Sequence, residues 1–294
     1  MNTQFASTHK YAKFGRGSTY LESRLGQPIE MGAIAQYCPS VLAEDKHSSR
    51  SERYTYVSTM DVIEALGGEG FRPFSIMQGG SKDEEKRGFT KHLIRFRHAA
   101  QPVVKGDSQY EVVMLGSHDG TTSTQLFGGF FRALCKNGTL WFNGEATKIK
   151  VPHIGNIIPQ VIEGAYTVVK QAPLALEQLD TFRAIQLSSD EQRAFADAAS
   201  VLRFDEESPI DSGQLLVARR DADSASDLHT VFNVVQENVI RGGLGYSRRE
   251  ERKDGTSRIV HRETRPVRSV DGDVRLNRAL WTLAEEMAKI KQAA

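Results

Sequence analysis

The residues best placed to do chemistry in this 294-residue chain are cations interleaved with aromatics. Thr90-Lys91-His92-Leu93-Ile94-Arg95-Phe96-Arg97 alternates with the period of a strand. With Ile94 and Phe96 turned toward a core, Lys91, Arg95 and Arg97 share the opposite face, and Arg87 and Phe89 lead into it. Cations along a sheet surface can track phosphates, and the Phe89 ring can stack a base. A second basic stretch, Arg248, Arg249, Arg252 and Lys253, reads as a flexible arm that orders on a nucleic-acid backbone. The plain alternative for both is a solvated, salt-bridged surface. Asp83, Glu84 and Glu85 precede the strand, and Glu250 and Glu251 interrupt the arm.

Other polar groups point less clearly to a reaction. Ser117-His118-Asp119 holds the residue types of a hydrolase, but triads are assembled from separate elements rather than from neighbours in sequence. Asp119-Gly120 is a turn dipeptide, and the segment is expected to fix a strand-to-helix turn. His92, His98, His118 and His153 lack metal-ligand spacing. Gly242-Gly243-Leu244-Gly245 follows a helical pattern, whereas a phosphate cradle needs glycines between a strand and a helix. The site expected is therefore a set of nucleic-acid contacts, with no catalytic residue, no metal and no cofactor.

The elements that must carry these residues read as α+β. Residues 1–53 are polar and turn-rich and are expected to be irregular. Residues 54–170 read as an α+β core. Ser58 or Thr59 caps a helix carrying Met60, Ile63 and Leu66; strands follow at 71–78, 90–97 and 110–115 as an antiparallel meander; and a packed helix runs from the 121–123 hydroxyls to Leu134. Residues 171–294 read as a largely helical part packed on that core. Its signals are the Ser188/Glu191 capping box, the stripe Leu228, Val231, Phe232, Val235 and Val239, and the stripe Leu276, Leu280, Leu283 and Met287. A basic loop is expected at 241–270.

The formal net charge of +1 conceals a strong polarity. Arg241 to Arg278 holds eleven Lys or Arg against six Asp or Glu, a net of +5, while Glu177 to Asp211 has a net of −6. Two unpatterned cysteines, Cys38 and Cys135, fit a reducing cytoplasm and exclude a disulfide framework. Neither a signal peptide nor a transmembrane run is visible, so no membrane partner is expected.

Several segments together resemble a known family. They are Lys91-His92-Leu93-Ile94-Arg95-Phe96, Ser117 to Thr122, Phe131 to Gly138, Gln236-Glu237-Asn238 with Gly242-Gly243, and Val274 to Trp281. The family is domain of unknown function nine-three-two, the phage/plasmid-like proteins, and the resemblance runs from about Tyr54 to the C-terminus. It implies a mobile-element setting and brings no catalytic residues. The order helix, meander, helix is also similar to Rad-fifty-two-like phage single-strand annealing proteins. The function expected is non-catalytic binding or annealing of single-stranded DNA by a phage or plasmid protein, with a homo-oligomer and a host protein as further partner classes. The alternatives are a DNA- or nucleotide-acting enzyme using the Ser117–Asp119 turn, and a protein-binding regulator or anti-defence factor acting through the acidic 177–211 helices.

Overall fold

The computed structural model describes residues 9–23, 26–45, 56–100, 103–105, 108–132, 138–141, 148–152, 155–204, 209–252 and 255–293. The chain forms two compact units. One comprises Met1–Leu134, Leu140–Pro173 and Arg268–Val270; the other comprises Cys135–Thr139, Leu174–Val267 and Asp271–Ala294.

The first unit is built on an antiparallel sheet. Its strands are β1 (His9–Lys13), β2 (Thr19–Ser23), β3 (Phe71–Gln78), β4 (His92–His98), β5 (Val103–Lys105), β6 (Ser108–Gly116), β7 (Thr124–Arg132) and β9 (Ile149–Val151), and Leu140 closes the short β8 (Gly138–Leu140). The order β1-β2-β3-β4-β6-β7 carries β5 on β6 and β9 on β7. Helices α1 (Met31–Tyr37), α2 (Thr59–Gly68) and α3 (Ile157–Lys170) complete the unit. The Ser58 hydroxyl caps α2 by accepting from Asp61 N–H. α2 packs on β3, and α3 packs on β6 and β7. Gly164 lets α3 come close, because a Cβ there would sit 2.6 Å from Leu126 Cδ1.

Two expectations are corrected here. Residues 124–132 form a strand, not a helix. Gly128 and Gly129 each disfavour a helix by about 1 kcal/mol, whereas Phe127, Phe130 and Phe131 suit a pleated surface. Gly128 also leaves the room that the Tyr110 hydroxyl occupies. The 1–53 segment is not wholly irregular, since β1, β2 and α1 lie within it. β2 is held by pairing with a strand about fifty residues away, Leu21 opposite Ile76, and no local pattern announces such a partner.

The second unit is helical with one β-ribbon. α4 (Ala172–Ala184) runs into it from the first unit, followed by α5 (Ser189–Arg203), α6 (Leu228–Arg241), strands β10 (Gly245–Glu251) and β11 (Ser257–Glu263), and α7 (Val270–Ala293). The Ser188/Glu191 capping box opens α5. Leu276, Leu280 and Trp281 are buried, and the Trp281 ring lies 5.1 Å from Phe182 and 5.8 Å from Phe232. Leu283 and Met287 are half-buried, with Ala284 and Ala288 taking the deeper positions on that face. The stretch expected as a basic loop at 241–270 is thus largely an antiparallel hairpin. No helix among the described residues is long and apolar enough to cross a membrane.

Candidate nucleic-acid interface

The pairing register of the ribbon decides which of its side chains act together. Tyr246 lies opposite Arg262, Arg248 opposite Val260, and Glu250 opposite Arg258. Directly opposed residues share a face, so Tyr246, Arg248, Arg258 and Arg262 are all on one side. Three guanidinium groups share a single carboxylate there. Arg248 Nη2 is 2.8 Å and Arg262 Nη2 is 3.2 Å from Glu250 Oε1, while Arg258 Nη2 is 3.5 Å from Glu250 Oε2. The hydrogen bonds from Arg248 and Arg262 hold the Glu250 carboxyl below the usual carboxylate range. One anion cannot neutralise three cations, so this face keeps a net charge of about +2 at neutral pH.

Arg249 and Ile259 are paired on the opposite face with Ser247, His261, Glu251 and Glu263, and Ile259 is 67% exposed. A concavity at the base of the ribbon is lined by Gly245, Tyr246, Ser247, His261, Arg262 and Glu263. Arg252 is exposed at the turn, where its N–H donates to Thr256 O at 2.7 Å. Lys253 lies outside the described residues.

The ribbon is anchored by the residues of the second motif block. Gly242 ends α6 at φ 65°, a left-handed conformation that favours glycine. A Cβ there would meet Thr264 O at 2.6 Å, so only glycine lets the two ends of the ribbon approach. Gly243 N–H then donates to Thr264 O at 2.8 Å, and Thr264 N–H to Leu244 O at 2.9 Å. Asn238 donates through Nδ2 to Leu215 O and Val217 O, each at 3.0 Å, and accepts from Arg219 Nε at 2.7 Å. Arg219 Nη2 donates to Gly242 O at 2.6 Å, and Gln214 Nε2 to Gly245 O at 3.0 Å. Buried Glu237 accepts from Arg220 and Arg241. Gln236 donates to Asn277 Oδ1 at 2.6 Å, both fully buried. These motif residues therefore act as a polar scaffold behind the ribbon.

The sheet residues are placed differently from expectation. Arg95 does not face solvent; it is 6% exposed. Its Nη2 is 2.9 Å from Glu22 Oε1, its Nε is 3.2 Å from Glu111 Oε2, and its guanidinium lies 3.9 Å from the centre of the Phe131 ring. Arg97 donates from Nε to Glu111 Oε1 at 2.6 Å and stacks 4.1 Å from the Phe74 ring centre. Burial by itself would lower the Arg95 pKa, but Glu111, Tyr20 and Glu22 outweigh it and hold the group above its ordinary value. The expectation failed because β4 is covered on both faces, so alternation separated two interiors rather than core from solvent. Arg87 pairs with Glu84 at 2.6 Å on a half-exposed loop. Lys91 and Phe89 are half-buried, and Phe89 O accepts from His118 N–H and Asp119 N–H.

The Ser117–Asp119 segment is a turn, from strand to strand. Asp119 Oδ1 accepts from Thr121 N–H at 3.0 Å and from the Thr121 hydroxyl at 2.6 Å, and Gly120 has φ 67°. His118 is buried, and its Nε2 lies 2.8 Å from Thr59 Oγ1, which is itself 3.0 Å from His92 Nε2. His92 Nδ1 faces Thr90 O at 3.4 Å, and a carbonyl only accepts, so that nitrogen carries the proton. The Thr59 hydroxyl then donates its one proton to His92 Nε2 and accepts from His118 Nε2–H. This arrangement needs the His92 ring neutral. Burial, then the charge of His118, pushes the His92 pKa down to about 3. No group of three or more His, Cys, Asp or Glu side chains suited to a metal occurs among the described residues.

Of the arm residues named from the sequence, Arg248 lies on the face of the Glu250 cluster and Arg249 on the other; Tyr246, Arg258 and Arg262, which share the Arg248 face, were not singled out. The available signal was Asp254-Gly255, a hairpin-turn dipeptide between two arginine-rich runs. The family model described as Domain of unknown function (DUF932) matches residues 46–281. UPF0380 protein YafZ and UPF0380 protein YfjQ of Escherichia coli (strain K12) are each 40% identical to the chain over 282 residues, 95% of this chain and 98% of the relative. No solved structure matches. The similarity to Rad-fifty-two-like annealing proteins is unsupported, because the helix on which it rested is strand β7. The match over 46–281, together with two relatives aligned along almost their whole length, shows that the chain belongs to the DUF932 family.

Proposed function

We propose that the chain is a non-catalytic single-stranded DNA-binding protein of a phage or plasmid, and that it engages DNA through the arginine face of its β-ribbon. The observation that carries this reading is the sharing of one Glu250 carboxylate by Arg248, Arg258 and Arg262, with Tyr246 on the same face. Guanidinium groups suit phosphate oxygens, and the Tyr246 ring offers a stacking platform that any base can use. The mobile-element setting is part of the same proposal.

Replacing Arg248, Arg258 and Arg262 together by Gln removes three phosphate contacts. At about 0.7 log units per phosphate on single strands, the log–log salt slope should flatten by about two units. Tyr246→Ala should weaken binding by about 1–3 kcal/mol without changing that slope. Titration of single- and double-stranded oligonucleotides at two salt concentrations reads both. Absence of single-strand affinity at low salt, with the protein folded, would overturn the proposal and favour a protein-binding regulator.

A further inference from the structure

A second cationic feature lies in the first unit, in the loop between β1 and β2. Arg16 adopts φ 64° and ψ 25°, and no other non-glycine residue among those described has a positive φ. Gly15 and Gly17 flank it, so the chain had glycine at hand for this conformation and uses arginine at the strained position. The loop is tightly held. Arg16 O accepts from Ser81 N–H at 2.9 Å, and a Cβ on Gly80 would sit 2.8 Å from that oxygen. The buried Gln78 side chain donates to Gly17 O at 2.9 Å, and the Ser18 hydroxyl is 3.0 Å from Gln78 O and 3.4 Å from Arg268 O.

Two more guanidinium groups are fixed beside this loop. Arg87 donates from Nε to Ser81 O at 3.3 Å, and its Cδ lies 3.2 Å from where a Cβ on Gly17 would stand. The Arg268 guanidinium sits 4.5 Å from the Phe14 ring centre. Arg87 is paired with Glu84. Arg16 and Arg268 are exposed and have no carboxylate partner among the described residues. Arginines from three separate stretches of chain thus meet at this loop: Arg16 within it, in a conformation that side-chain-bearing residues rarely adopt, Arg87 beside Gly17 and Arg268 over Phe14.

We propose that the Phe14–Ser18 loop, with Arg87 and Arg268, is an anion site that takes a phosphate group. It is separate from the ribbon and does not rest on the ribbon's role. Planar guanidinium groups match phosphate oxygens in pairs. The tight loop removes part of the ordering cost of binding.

The test compares the full chain with Arg16→Gly and, separately, Arg268→Gln. Melting is followed with inorganic phosphate and with chloride at equal ionic strength. Phosphate should raise the melting temperature of the parent beyond chloride. Arg16→Gly should melt at the same temperature as the parent or higher without phosphate, because glycine accepts φ 64° freely, and should lose most of the phosphate-dependent rise. Arg268→Gln should reduce that rise. Oligothymidylates with and without a 5′-phosphate then separate the sources. Equal weakening of both by Arg16→Gly assigns a backbone phosphate; weakening of the phosphorylated form alone assigns a terminal or free phosphate. The triple ribbon variant should keep the inorganic phosphate response, so failure of the ribbon reading is distinguishable from failure here. No phosphate-specific rise in the parent, an unchanged rise in both variants, or a lower melting temperature of Arg16→Gly without phosphate would each overturn the site.

Discussion

Removing Arg95 should unfold the first unit far more readily than removing a surface cation would. Its guanidinium bridges Glu22 at 2.9 Å and Glu111 at 3.2 Å, and the three side chains are 7%, 8% and 0% exposed. In Arg95→Met the volume is largely kept, so the cavity contribution is small and the lost charge dominates. Glu111 keeps Arg97 at 2.6 Å, which leaves Glu22 as the buried carboxylate stripped of Arg95. Breaking a buried pair from one side costs about 3–5 kcal/mol, and the surviving Glu111 pair places this case near 3 kcal/mol. Urea denaturation at pH 7 measures it. Glu22→Gln added to Arg95→Met removes the orphaned charge and should restore about half of the loss. A loss under about 0.5 kcal/mol would refute the buried network.

His92 makes stability depend on pH. Its folded pKa of about 3 lies below the ordinary 6.5, so the stability it confers is complete above pH 6.5 and is lost as pH falls from 6.5 toward 3. The slope is at most about 1.4 kcal/mol per pH unit, and His92→Gln should flatten it in denaturation series at pH 7, 5.5 and 4.5; an unchanged slope would show that another group carries the acid sensitivity. Leu280, fully buried in α7, should cost about 2–5 kcal/mol on replacement by Ala, and half-buried Leu283 less than half of that, both read from urea midpoints. Equal losses at the two positions would mean that α7 is rotated from the face described.

By itself the sequence determined the α+β class, the meander of β3, β4 and β6, the caps at Ser58 and Ser188, and the apolar stripes of α6 and α7. Each of these is written locally, in a two- or 3.6-residue period or in a capping residue. Family membership was legible in the same way, from short motifs. What the tertiary structure decided depends on partners distant in sequence. β2 finds β3 through long-range pairing, and in β7 Gly128 leaves the room that the Tyr110 hydroxyl occupies. Arg95 is interior because Glu22, seventy-three residues away, comes to meet it, while alternation alone can say only that two faces differ. On the ribbon, Arg248 was visible as a cation, but its grouping with Arg258, Arg262 and Tyr246 follows from a hairpin register that sets which residues oppose one another. Local periodicity assigns a side chain to a face; only the packing of distant segments determines whether that face meets water, a carboxylate or a neighbouring arginine.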